Sequence, residues 1–139
     1  MSGGFCQYIR LSAEHIKYTT FKLPEGQDLK EALFIEPLAC CIRAMDRTSY
    51  NKGDIFSVVG VGAMGMLFIQ LIKLAECRAV AIDLDNTRLA LAKELGADYI
   101  INLQKEDIIK AIGSITNIGI DNAILTVTNK YTLMMLYPI

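Results

Sequence analysis

The sequence predicts an α/β fold, a doubly wound parallel sheet of about four strands, and three observations point to it. A glycine-rich turn, Gly60-Val61-Gly62-Ala63-Met64-Gly65, follows the apolar run Ile55-Phe56-Ser57-Val58-Val59 and opens an apolar stretch, Met66 to Ala75. An acidic residue, Asp83, closes a second strand-like run about twenty residues further on. Strand-like and helix-like segments then alternate as far as Val127. Such alternation implies parallel strands joined by right-handed helical crossovers.

Taken in order, Phe5 to Leu11 alternates apolar and polar residues, as a half-buried strand does. Ser12 to Tyr18 reads as a connection holding the single histidine, His15, which reads as exposed or capping. Phe21-Lys22-Leu23-Pro24-Glu25-Gly26 ends in turn chemistry. Asp28 can cap a short helix running through Phe34. Glu36-Pro37 opens a second helix, with proline at its first position. That helix should reach about Arg47, with Leu38, Ile42 and Met45 on one face. Asn51-Lys52-Gly53-Asp54 then turns into the first strand of the sheet. Strands are expected at Ile55–Val59, Ala79–Asp83, Tyr99–Asn102 and Asn122–Val127. Helices are expected at Ala63–Ala75, Asn86–Leu95 and Glu106–Gly113, with Gly96 ending the second of these.

Composition excludes several function classes. The chain has 139 residues, enough for one ordinary domain. Its 14 basic and 15 acidic residues nearly cancel, so no basic patch suggests nucleic acid. Hydrophobic residues make up 53% and the mean hydropathy is +0.34. Central parallel strands, buried on both faces, account for much of that. Ile55 to Ile72 carries no formal charge and reaches the length at which a membrane span is considered. Its three spaced glycines, and the change from a β-branched half to a Leu/Met-rich half, make it a strand, a turn and a buried helix instead. The first residues lack the basic and apolar regions of a signal peptide, so a cytoplasmic location is expected. Four cysteines without C-x-x-C spacing read as small buried hydrophobes rather than a metal or disulfide framework.

The glycine spacing in this setting is the dinucleotide-binding fingerprint of a Rossmann-type fold. Gly60 allows the sharp turn out of the strand, Gly62 lets backbone approach a pyrophosphate, and Gly65 lets the helix pack on the strand. Val61, Ala63 and Met64 complete the loop, whose helix N-terminus offers N–H groups and partial positive charge. Asp83 would accept the adenosine-ribose hydroxyls and repel a 2′-phosphate, which favours NAD over NADP; the alternative is a solvated strand-end carboxylate. Arg88, in the following helix, joins the cofactor candidates, or is an ordinary solvated position. Thr126 and Thr128 sit at the carboxyl end of the fourth strand, where ligands bind in such sheets, although β-branched packing explains them equally. No residue is singled out as catalytic.

Gly3-Gly4-Phe5, Phe21-Lys22-Leu23-Pro24, Glu36-Pro37-Leu38-Ala39-Cys40-Cys41, the glycine fingerprint and Ala92-Lys93-Glu94-Leu95-Gly96-Ala97-Asp98 occur in that order. Together they resemble the zinc-dependent medium-chain alcohol and polyol dehydrogenases, sorbitol and threonine dehydrogenase relatives included. The resemblance implies hydride transfer between NAD(P) and a small alcohol or polyol, with zinc polarising the substrate oxygen. It implies that residues 1–36 are the C-terminal remnant of a GroES-like catalytic domain and 37–139 a truncated NAD-binding Rossmann domain. The family's Gly-His-Glu motif and four-cysteine lobe are not in this sequence, so His15 takes no zinc role. Glu36 lies where the polyol branch places a carboxylate near the metal; a glutamate favouring the helix dipole is its alternative. Ile120 to Val127 resembles the family's fourth strand, which in the order 3-2-1-4-5-6 would here be a sheet edge open to oligomerisation.

The reading is a fragment of a zinc-dependent, NAD-linked alcohol or polyol dehydrogenase, inactive alone. A non-catalytic dinucleotide-binding or interaction module is the alternative. A Rossmann methyltransferase fits less well, because of the glycine spacing and the Glu36-Pro37-Leu38 helix start.

Overall fold

The computed structural model describes residues 6–127. The chain divides into two compact units, Met1–Phe34 and Ile35–Ile139.

The first unit holds α1 (Ala13–Thr19) and α2 (Leu29–Ala32), neither of which contains a buried residue. The expected strand from Phe5 to Leu11 does not form: residues 6 to 11 are exposed and unpaired, and alternation without a partner strand gives no ladder. The expected connection at Ser12–Tyr18 is instead helical. Ser12 is its N-cap, accepting from the His15 N–H at 3.2 Å, and Glu14 favours the first turn. Asp28 caps α2 as expected, accepting from the Lys30 N–H at 2.8 Å, but the helix stops at Ala32, short of Phe34.

The second unit runs α3 (Ile35–Asp46), β1 (Ile55–Val59), α4 (Ala63–Leu74), β2 (Arg78–Asp83), α5 (Asn86–Glu94), β3 (Tyr99–Asn102), α6 (Ile108–Ile115) and β4 (Asn122–Leu125). All strand pairs are parallel, in the order β3-β2-β1-β4. This is the expected doubly wound arrangement. Among the described residues β4 pairs with β1 alone, so it is the predicted edge. It ends at Leu125 rather than Val127.

Period-two alternation splits the core between the two faces of the sheet. Phe56, Val58, Ala79 and Ala81 face one way, against Cys41 and Met45 of α3, Phe68, Ile69 and Ile72 of α4, and Leu89 and Ala92 of α5. Ile55, Val59, Val80, Ile82 and Ile101 face the other, against Ile108, Ile112 and Ile115 of α6. Each fully buried Ile or Phe contributes about 1.5–3 kcal/mol relative to exposure.

Two details of the helices differ from expectation. α3 starts at Ile35, which puts Pro37 third, and it buries Cys41 and Met45 while Ile42 is exposed. Cys41 takes the inner position because it lies against the start of α4, its Sγ 3.9 Å from the Met64 carbonyl oxygen. α6 starts at Ile108 rather than Glu106, because Asp107 is its cap, accepting from the N–H groups of Ile109 and Lys110. Cys41 and Cys77 are buried as expected, whereas Cys6 and Cys40 are exposed. Among the described residues no helix is long and apolar enough to cross a membrane.

Candidate functional site

The parallel topology brings the carboxyl ends of β1, β2, β3 and β4 to one edge of the sheet. The glycine turn lies there, between β1 and α4. Gly60 has φ +87°, a left-handed conformation that L side chains rarely adopt. An added Cβ at Gly60 would stand 2.7 Å from Thr126 Oγ1 and 2.8 Å from the Val127 methyls. At Gly65 an added Cβ would stand 2.2 Å from the Gly60 carbonyl oxygen, so α4 packs on the turn only because Gly65 has no side chain.

Gly62 is different. It is the N-cap of α4, its backbone is ordinary, and an added Cβ would meet nothing within 4 Å. It offers no side-chain cap, and the first turn of α4 contains no acidic residue. The helices α5 and α6, in contrast, have their first N–H groups occupied by Asp85 and Asp107. The start of α4 therefore presents N–H groups without a side-chain acceptor, beside open space, with the helix dipole adding partial positive charge. A pyrophosphate fits that cradle: it is an anion needing close backbone approach and several donors.

Asp83 is buried, 8% exposed, at the end of β2. Its Oδ2 accepts from the Val61 N–H at 2.8 Å, and its Oδ1 accepts from the N–H groups of Leu84 at 2.7 Å and Asp85 at 3.0 Å. It is thus a structural tie as well as a ribose candidate. The solvated strand-end alternative does not hold, because burial and three backbone donors exclude it. Arg88 places Nη1 3.9 Å from Asp83 Oδ2 while its side chain stays largely exposed. Asp85, which caps α5, is held below the usual carboxylate range by the N–H groups of Arg88 and Thr87.

Thr126 joins the same group, with its hydroxyl on the Gly60 carbonyl oxygen rather than in open space. Thr128 lies outside the described residues. Val61 is fully buried, Ala63 is exposed, and Met64 is partly buried against the core. Asn102, at the end of β3, was not singled out from the sequence. It is 4% exposed and donates through Nδ2 to the Leu84 carbonyl and to Asn86 Oδ1, at 3.2 and 2.7 Å. It thereby ties the turn after Asp83 to β3. A lone asparagine ending an apolar strand was the only signal available.

Glu36 is exposed in the first turn of α3 and is not part of this group. Its Oε1 accepts from Cys40 Sγ at 3.2 Å. The hydrogen bond to Glu36 and repulsion by its charge, with a smaller contribution from burial, raise the Cys40 thiol. Among the described residues no three His, Cys, Asp or Glu side chains stand where they could hold a metal ion. Zinc takes three protein ligands in catalytic sites and four in structural ones, so Glu36 with Cys40 does not fit it.

In sequence and fold the chain is similar to known dehydrogenases. The family described as zinc-binding dehydrogenase matches residues 63–137. A sorbitol dehydrogenase of Bacillus subtilis (strain 168) is 32% identical over 135 residues, 96% of this chain and 37% of that protein. The alcohol dehydrogenase TADH of Thermus sp. ATN1 superposes with a TM-score of 0.74 at 28% identity, covering 83% of this chain and 35% of its own. A zinc-binding dehydrogenase structure from Sinorhizobium meliloti 1021, bound to NADP, gives a TM-score of 0.74 at 29% identity, covering 81% of this chain and 34% of its own. The chain spans about a third of the length of the relatives it matches.

Proposed function

Because this chain belongs to the zinc-binding dehydrogenase family, we propose that it is the dinucleotide-binding part of an NAD-linked alcohol or polyol dehydrogenase. The observation that supports this most is the open, uncapped start of α4 at Gly62, next to a turn that accepts no side chain at Gly60 or Gly65. In this reading the first-turn N–H groups of α4 hold the pyrophosphate. The free lone pair on Asp83 Oδ2 accepts an adenosine-ribose hydroxyl. When bound, NAD supplies the hydride acceptor for oxidation of a small secondary alcohol.

NAD is favoured over NADP because a 2′-phosphate would approach the buried Asp83 carboxylate. Arg88 could attract that phosphate, but it stands beside Asp83 and its charge is partly offset there. Residues 1–36 then belong with a catalytic domain and 37–139 with the cofactor domain. Exposed free thiols at Cys6 and Cys40 suit a reducing, cytoplasmic setting.

In isolation the chain is proposed to bind NAD without oxidising alcohols, since the described residues offer no set of zinc ligands. Calorimetric titration of the full chain with NAD and NADP, beside an NADH-formation assay over a polyol panel with added zinc, tests both statements. The expected result is NAD binding tighter than NADP and no NADH. Tighter NADP binding removes the cofactor assignment, and NADH formation that scales with protein removes the inactivity.

A further inference from the structure

Gly60 is held by the residue that directly follows the edge strand β4. The Thr126 hydroxyl donates to the Gly60 carbonyl oxygen at 2.5 Å and stands 3.3 Å from the Val59 carbonyl oxygen. The Thr126 N–H donates to Val59 at 3.0 Å, which fixes the threonine backbone against the end of β1. On the β2 side the Gly60 N–H donates to the Ile82 carbonyl oxygen at 2.8 Å, and Asp83 accepts from the Val61 N–H at 2.8 Å.

The Gly60 carbonyl and the Val61 N–H belong to one planar peptide unit. Thr126 therefore grips one end of that plane from just beyond β4, and Asp83 grips the other end from β2. Neither grip alone fixes its rotation, since a single hydrogen bond leaves the plane free to tilt. Both together set the direction in which the chain enters Gly62 and α4. A hydroxyl has one proton, and here it is given to the turn, so Thr126 does not donate it to a ligand.

We propose that Thr126 is a positioning residue for the anion cradle, acting through the Gly60–Val61 peptide plane and not by touching the dinucleotide. This rests on the dinucleotide reading above and adds to it the residue that aims the loop. The ligand part it serves is the pyrophosphate. The adenosine end is held at Asp83 and the turn that follows it, which Asn102 ties independently.

The test is an NMR shift titration of the full chain and two variants with ADP and with adenosine. Thr126→Val keeps the shape and removes the proton. It is expected to weaken ADP about five-fold, the loss of one net hydrogen bond's worth of organisation, and to leave adenosine unchanged. Thr126→Ser keeps the hydroxyl and loses the methyl. It is expected to melt at lower temperature yet keep the native preference for ADP over adenosine. Equal weakening of both ligands by Thr126→Val, or undiminished ADP binding, overturns the proposal. Loss of the ADP preference in Thr126→Ser overturns it as well, whether or not the valine variant folds. If the unchanged chain binds no ADP, the dinucleotide reading itself fails and this proposal falls with it. If it binds and only the variants contradict, that reading stands.

Discussion

Asp83 Oδ2 accepts the Val61 N–H at 2.8 Å, so the end of β2 is fastened to the glycine turn. The carboxylate is buried and also holds the N–H groups of Leu84 and Asp85. Asp83→Ala leaves three backbone donors in or near the protein interior without their acceptor. It should cost roughly 2–3 kcal/mol, since a buried polar group left unsatisfied costs its desolvation. Urea unfolding measures this. A loss below about 0.5 kcal/mol would mean that water replaces the carboxylate and the tie is not structural.

Gly62 and Gly65 should separate binding from folding. Gly65→Ala puts a Cβ against the backbone oxygen of Gly60, where nothing flexible can yield. It should destabilise by about 1–3 kcal/mol, as overpacked sites do. Gly62→Ala meets open space at an ordinary φ, so the melting temperature should hold while NAD affinity falls. The pair is read by thermal melts beside NAD titrations. Unchanged NAD affinity in a stable Gly62→Ala variant would place the pyrophosphate elsewhere.

The sheet was legible because its strands are short apolar runs between turns. Ile55–Val59, central and buried along its whole length, matches the expected bounds as a continuous apolar run. Tyr99–Asn102 matches too, although β3 lies at an edge of the described sheet with Tyr99 and Ile100 exposed. The first 34 residues were poorly legible for the opposite reason. Neither helix there buries a residue, so apolar spacing had nothing to report, and Ser12 as a cap outweighed it. In the site, glycine spacing marked the turn. It could not show that Asp83 and Thr126 hold that turn, nor that Asn102 supports it. Those are contacts between residues far apart in sequence.

The Lys73–Asp98 pair gives a pH signature. Both Asp98 oxygens accept from Lys73 Nζ, at 2.9 and 2.8 Å, and Oδ2 also accepts the Ala79 N–H at 2.7 Å. Burial alone would raise this carboxyl. The Lys73 and Ala79 hydrogen bonds, with the charges of Lys73 and Lys93, outweigh it and hold the group below the usual carboxylate range. A depressed folded-state value gives stability that is present above the unfolded-state value and is lost as pH falls through the folded one. Stability should therefore decline below about pH 4. Asp98→Asn should lose about 1 kcal/mol at neutral pH and show a flatter acid limb. Acid limbs of equal slope in the two proteins would contradict this.

Cys40 offers a chemical readout of α3. The exposed thiol donates to Glu36, which keeps it protonated above the ordinary range. Glu36→Gln should speed Cys40 alkylation several-fold at mildly alkaline pH, because the thiolate is the nucleophile. Iodoacetamide labelling followed by peptide mass spectrometry measures it. An unchanged rate would show that the two side chains do not meet in solution.

The central claim is that the turn at Gly60–Gly65 is an anion cradle for a dinucleotide. Its most direct measurement is a residue-resolved amide NMR titration of the full chain with NAD. The account predicts saturable shifts centred on the N–H groups of Gly62, Ala63, Met64 and Gly65, with Asp83 and its neighbours moving at the same ligand concentration. Saturable shifts confined to another surface, or none at millimolar NAD, would contradict it.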